Sequence, residues 1–310
     1  GVINMDKLKK VGLTALGTAL VASSASAGSL SVSGTAQLTF TGQEHADVGN
    51  TWTSSNSIQF SGSGELDNGM TISYTQNHAN GTTDNYAIGI GMGDMGTLTF
   101  GHGLAGGPVS AWDDKLPTAN EESYHGVTGV TGPDGGYSSD ESFKYTVDVM
   151  EGLQFHGGYQ PAAAGQTGSA LEYGVAYTGV EGLNIGIATG ENDATANTVE
   201  DTVLYATYSM DAFTIGVQDN STDTEAANGD SDFRGYGISY AVTEDISVSY
   251  AVASVEYENS SLEDQDATGM SFSYTSGGMT VSASFNEVDN VAGTGTNDRS
   301  AYEVNFGFAF

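Results

Sequence analysis

Apolar and polar residues alternate one for one over short stretches of this chain, the repeat that sends successive strand side chains to opposite faces of a sheet. Leu30, Val32, Gly34, Ala36, Leu38 and Phe40 interleave with Ser31, Ser33, Thr35, Gln37 and Thr39, so one face is apolar and the other polar but uncharged. The same two-faced pattern recurs in pairs at 58–66 and 70–74, 86–90 and 98–100, 143–147 and 153–159, and 171–177 and 183–187. It continues at 204–208 and 213–217, 236–240 and 246–252, 270–274 and 279–285, and last at 302–310. Short turns join the members of each pair. Asp67-Asn68-Gly69 reads as a tight hairpin, because Asn and Gly both tolerate positive φ. The pattern predicts sixteen strands, joined by seven short turns in strict alternation with eight longer connections. The longer ones lie near 41–55, 79–83, 103–139, 161–169, 190–200, 221–231, 255–266 and 287–300. In an up-and-down meander every short turn then falls at one rim and every long loop at the other.

No stretch of the chain after residue 27 holds 18 consecutive apolar residues or a sustained apolar stripe at helical spacing, which excludes transmembrane helices. Composition fits strands joined by glycine-rich turns: 44 Gly and 16 Tyr against 4 Pro in 310 residues. A formal charge of -32 and the absence of cysteine argue against nucleic-acid partners, iron–sulfur centres and zinc–thiolate sites. Lys7, Lys9 and Lys10 precede an apolar run from Val11 to Val21, and Ala25-Ser26-Ala27 offers small residues for cleavage; residues 1–27 read as a secretory signal peptide. Removing it takes three of the seven basic residues and Asp6, leaving 38 acids against four bases.

Alternation alone fits a soluble sandwich as well as a membrane barrel. Three observations favour the barrel. Tyr and Phe sit on the apolar face near strand ends, at 74, 86, 100, 145, 177, 208, 240, 250, 274 and 302, where amphipathic rings suit a headgroup interface. The opposite face is Ser, Thr, Asn, Gln and small residues, which line water more naturally than they fill a core. The strand number is even, and the leader exports the chain. In hydrocarbon each unpaired backbone group costs several kcal/mol, so such a sheet must close, and at sixteen strands an aqueous channel remains inside.

These features, with Leu30-Ser31-Val32-Ser33-Gly34, the hairpin from Glu65 to Met70 and the ending Tyr302 to Phe310, resemble the general porins of Gram-negative outer membranes, especially the alphaproteobacterial kind. The resemblance implies an all-β, sixteen-stranded antiparallel transmembrane β-barrel over 28–310. It also implies that the long third loop, 103–139, folds into the lumen as a constriction. Asp113, Asp114, Lys115, Glu121 and Glu122 are then the candidate constriction residues, with Trp112 beside them. Parity places Glu65, Lys144, Asp148, His156, Glu172 and Glu303 on the lumen wall, since a charge facing lipid is costly. The resemblance further implies a homotrimer, which the small outward residues Gly34, Ala36, Gly62 and Gly64 would suit. It implies recognition of a terminal Phe310 by the outer-membrane assembly machinery.

In the family this chain resembles, a basic cluster on the wall opposes the loop acids, whereas here Lys144, Arg234 and Arg299 are the only Lys or Arg residues in the body, after the leader, outside the loop. The expected function is passive diffusion of small hydrophilic solutes and ions with a preference for cations. A substrate-selective porin of the same fold, or a non-conducting acidic surface protein or adhesin, are the alternatives. No enzymatic motif is present. The histidines at 45, 78, 102, 125 and 156 lack the close pairing of a zinc site, and no cofactor is expected beyond diffuse calcium at acidic loops such as Asp219, Asp223, Glu225, Asp230 and Asp232, or Glu263, Asp264 and Asp266.

Overall fold

The computed structural model describes residues 28–44, 50–133, 136–137, 141–162, 168–193 and 197–310. The leader at 1–27, His45 and parts of the third loop lie outside them. Among the described residues sixteen strands form one closed antiparallel barrel. They are β1 Ser29–Glu44, β2 Thr51–Glu65, β3 Thr71–Ala79, β4 Thr82–Gly91, β5 Thr97–His102, β6 Ser142–Met150, β7 Leu153–Gln160 and β8 Ala170–Tyr177. The second half comprises β9 Leu183–Asn192, β10 Val199–Met210, β11 Phe213–Thr224, β12 Ser231–Ala241, β13 Ile246–Tyr257, β14 Gln265–Ser276, β15 Met279–Asp289 and β16 Arg299–Ala309. Each strand pairs with its neighbours in sequence, and β1 closes on β16 with Thr39 opposite Asn305 and Thr41 opposite Glu303. No sheet edge is left unpaired, which is the condition for backbone in hydrocarbon.

The two faces separate as the alternation predicts. Phe60, Ile215 and Phe272 point outward and are 38%, 52% and 38% exposed on the isolated barrel, while their Ser, Thr and Gln neighbours face inward. Phe310 seals the barrel: its N–H donates to Gly34 O at 2.9 Å, and Gly34 N–H donates to its carbonyl at 2.7 Å. A Cβ on Gly34 would lie 2.5 Å from the Phe310 ring. Gly34 is therefore small to admit a ring of its own chain, a role that the reading of this position as a gap for a neighbour did not include.

The strands run further toward the long-loop rim than expected, because polarity inverts along them. In the upper part of β12 to β15 the acids Asp232, Glu256, Asp266, Glu287 and Asp289 take outward positions, while Phe233, Val255, Ala267 and Val288 turn inward and are buried. Above the apolar band the outside is water and the inside is a packed loop, so the pattern flips while the backbone pairing continues. Several acids assigned to loops, Asp219, Asp223, Asp232 and Asp266, are thus strand residues, and Asp219 pairs with Arg234 at 2.8 Å on the outer surface. The first connection shortens to 45–50. The second is no loop at all: Asn80 and Gly81, with φ of 50° and 86°, form a two-residue turn between β3 and β4. The strongly signalled Asn68-Gly69 behaves differently. Only Gly69 has positive φ there, at 80°, and the turn spans 66–69 with Asn68 Oδ1 accepting the Met70 N–H.

Candidate functional site

The third loop leaves β5 at Gly103 and is drawn across the inner wall of the barrel. It opens with a short helix, α1, Pro108–Trp112, whose Pro at the first turn suits a helix start. Val109 and Trp112 are buried, and the Trp112 ring meets His156 and Tyr205 edge-on at 5.0 and 5.6 Å. The Glu172 carboxylate of β8 accepts the N–H of Val109 at 2.8 Å, of Tyr137 at 3.2 Å and of Ser110 at 3.4 Å. This approach requires Gly107, where a Cβ would come 2.3 Å from Glu172 Oε2. Glu172, placed on the lumen wall by parity, does face inward, but at 2% exposure it anchors the loop and does not meet the channel water.

Beyond the helix, inward-facing amides and hydroxyls take up the loop backbone in turn. Gln218 of β11 accepts the Lys115 N–H at 2.6 Å and donates to the Asp113 carbonyl. Ser249 and Ser271, on β13 and β14, accept the N–H groups of Ala119 and Asn120 at 2.9 to 3.1 Å. Asn286 of β15 donates to the carbonyls of Glu122 at 3.0 Å and His125 at 2.8 Å. Gln265 of β14 pairs with both backbone groups of Thr131, at 3.0 and 2.7 Å. Arg299 of β16 donates to Thr128 O at 2.7 Å, and the Thr128 hydroxyl reaches Gln43 of β1 at 2.8 Å. An apolar patch of Val127, Phe233, Ala253, Val255, Ala267, Val288, Val291 and Ala301 lies under the loop. These contacts fall on β7 to β16 and on the upper end of β1; at the root of the loop Ser142, the first residue of β6, also donates to Ala105 O at 2.9 Å, and among the described residues the rest of the β2–β6 arc makes none of these contacts. The facing arc offers Gln59, Ser61, Ser73, Thr75, Thr97 and Thr99 at inward positions.

Within this frame four of the five loop candidates gather. Asp114 and Glu122 share a hydrogen bond, Lys115 lies beside Asp114, and Glu121 and Glu122 flank His125. Asp114 is accessible to solvent yet enclosed by the barrel; that desolvation, and then the hydrogen bond and charge of Glu122, push its carboxyl up to about 7. Desolvation raises Glu121 as well, against the pull of His125. The His125 ring lies 3.5 Å from Glu121, 3.8 Å from Glu122 and 3.6 Å from Glu303 of β16. Its hydrogen bond with Glu303 raises its pKa despite partial burial. Asp113 caps α1 and adds its carbonyl to the Gln218 clasp. On the wall, Lys144 and His156 face inward, Asp148 accepts Gln154 Nε2 at 2.8 Å, and Glu65 is exposed at the short-turn end.

His125 stood in the sequence at helical spacing from Glu121, but its wall partner is 178 positions away. The loop-holding residues Gln218, Gln265 and Asn286 were equally hidden, because an inward polar residue reads the same whether it meets water or a loop. Their burial and their bonds to the loop backbone distinguish them, and neither is written in the local sequence.

The model of the family described as "Gram-negative porin" matches residues 12–259. The chain belongs to the Gram-negative porin family. Solved porins share its fold at low identity. OmpT of Vibrio cholerae in a trimer form is 16% identical, with a TM-score of 0.71 over 92% of this chain and 100% of that one. An anion-selective porin from Comamonas acidovorans is 14% identical, with a TM-score of 0.66 over 91% and 100%. OmpF of Salmonella typhi, in complex with daunomycin, is 14% identical, with a TM-score of 0.67 over 92% and 98%. No curated protein sequence matches. Family and fold together make this porin an outer-membrane channel and not an enzyme.

Proposed function

We propose that this porin passes small hydrophilic solutes and ions by passive diffusion between the third loop and the β2–β6 arc, with a preference for cations. One observation carries the sign of that preference: Asp114, Glu121, Glu122 and Glu303 gather along the loop with Lys115 as the one basic residue among the loop candidates, while Lys144 is the one basic residue at an inward position on β2–β6. Charges inside a narrow low-dielectric tube act on permeating ions far more than charges on an open surface. The fold by itself sets no sign, since it is shared with a porin named as anion-selective. The test is the reversal potential across a potassium chloride gradient in a planar bilayer. A cation-side potential supports the reading, and an anion-side potential overturns it.

A trimer is part of the same proposal. Ser54, Asn56, Gln76 and His78 take outward positions on β2 and β3 and interrupt the apolar band between Trp52 and Ile58. Polar groups there suit a protein neighbour better than hydrocarbon, and a similar porin is described in a trimer form. The exposed Phe310, held by its backbone in the β1–β16 seam, remains available to the assembly machinery.

A further inference from the structure

We propose that Glu121, His125 and Glu303 bind one divalent transition-metal ion of the zinc class, which ties the third loop to β16. One ligand atom from each of these three side chains lies within 4.8 Å of the others. His125 Nδ1 lies 3.5 Å from Glu121 and Nε2 lies 3.6 Å from Glu303, so carboxylates from two chain segments flank the two ring nitrogens, and a site needs both to close on one of them. Zinc–ligand bonds are about 2.0 to 2.2 Å and tetrahedral ligands stand about 3.4 Å apart, so small side-chain shifts complete the set.

The chemistry selects the metal. One imidazole and two carboxylates make a three-ligand site with room for water, a donor set that suits zinc, copper or nickel, whereas calcium and magnesium favour oxygen alone. Three carboxylates, Glu121, Glu122 and Glu303, crowd one imidazole, leaving a negative excess that a dication would balance. With Nε2 on the metal, Nδ1 stays turned toward Glu122, 3.8 Å away, and a small closure would let it donate there and fix the ring. The backbone beneath is already set: Asn286 is 1% exposed and holds the carbonyls of Glu122 and His125. The rival arrangement is an ion pair alone, with protonated His125 bridging the carboxylates. The two differ in what displaces the proton.

Calorimetric titration of the untagged, detergent-folded protein with zinc chloride at about pH 7.5 tests the proposal, with folding of each variant checked by heat-modifiable gel mobility. One zinc site is expected, persisting in excess calcium, releasing a proton on binding, and weakened at least about tenfold by His125→Gln and by Glu303→Gln. His78→Gln, on the outer face, should leave it unchanged. Zinc affinity unaltered by His125→Gln or by Glu303→Gln, or abolished by calcium, overturns the proposal. The reading of the chain as a cation-preferring channel is measured separately in metal-free buffer, so either can fail without the other.

Discussion

Glu172 shows what a single buried carboxylate does here. It stands where parity puts a lumen charge, but it spends its oxygens on three loop N–H groups. Glu172→Ala should strand three donors, at a cost of about 1 to 3 kcal/mol for each that finds no water. The barrel, held by its own ladder, is expected to keep its heat-modifiable mobility, while single-channel recordings show higher and noisier conductance. The acids beside His125 make a pH prediction. Burial and Glu122 push Asp114 up to about 7 from 3.8, desolvation raises Glu121 as well, and the hydrogen bond to Glu303 raises His125. As pH climbs from about 6 to 8 the loop gains negative charge, so cation preference, read as reversal potential, should increase. Stability has the opposite sign. The folded loop holds more protons than a free one across that interval, both on the raised carboxyls and on His125. Its attachment should weaken with rising pH, seen as growing open-channel noise.

A strand in this barrel carries two messages in succession. Its lower part is apolar outward and polar inward; its upper part in β12 to β15 is acidic outward and apolar inward. The sixteen strands and their order were legible because lipid and water impose a strict period of two on the lower part. The upper parts were not, because Phe233, Val255 and Val288 answer to a loop whose path depends on contacts far away in sequence. The Asn80-Gly81 turn escaped notice for a related reason, since its flanking residues carry little apolar alternation. The loop's third position in the meander could be read directly, but its route could not. Small residues on the wall record that route: a Cβ on Gly269 would sit 2.4 Å from Ser123 Cα and 2.5 Å from Asn286 Oδ1. Gly269→Val should leave β14 paired and the barrel folded while forcing the loop off the wall, so that conductance rises and zinc-independent noise increases.

At the scale of the whole molecule, closure and the proposed trimer would use different parts of the outer surface. The Phe310–Gly34 seam completes the cylinder, and the polar interruption on β2 and β3 marks where a second protein surface would replace lipid. Asn56→Lys places an unpaired charge in that patch. Unheated gel electrophoresis should show the trimer lost and the folded monomer kept, whereas an intact trimer would place the neighbour elsewhere.

The off-centre course of the loop also divides the chain's tolerance to change. Residues behind it, from Glu172 through Gln218 to Asn286, are constrained as the parts of a hinge and its frame are. Those of the bare arc, such as Gln59, Thr75 and Thr99, point into the lumen and hold no part of the loop, so on the proposed path they would meet the solutes with little else depending on them. Permeability could therefore be retuned on one side of the tube, residue by residue, with the architecture of the other side untouched.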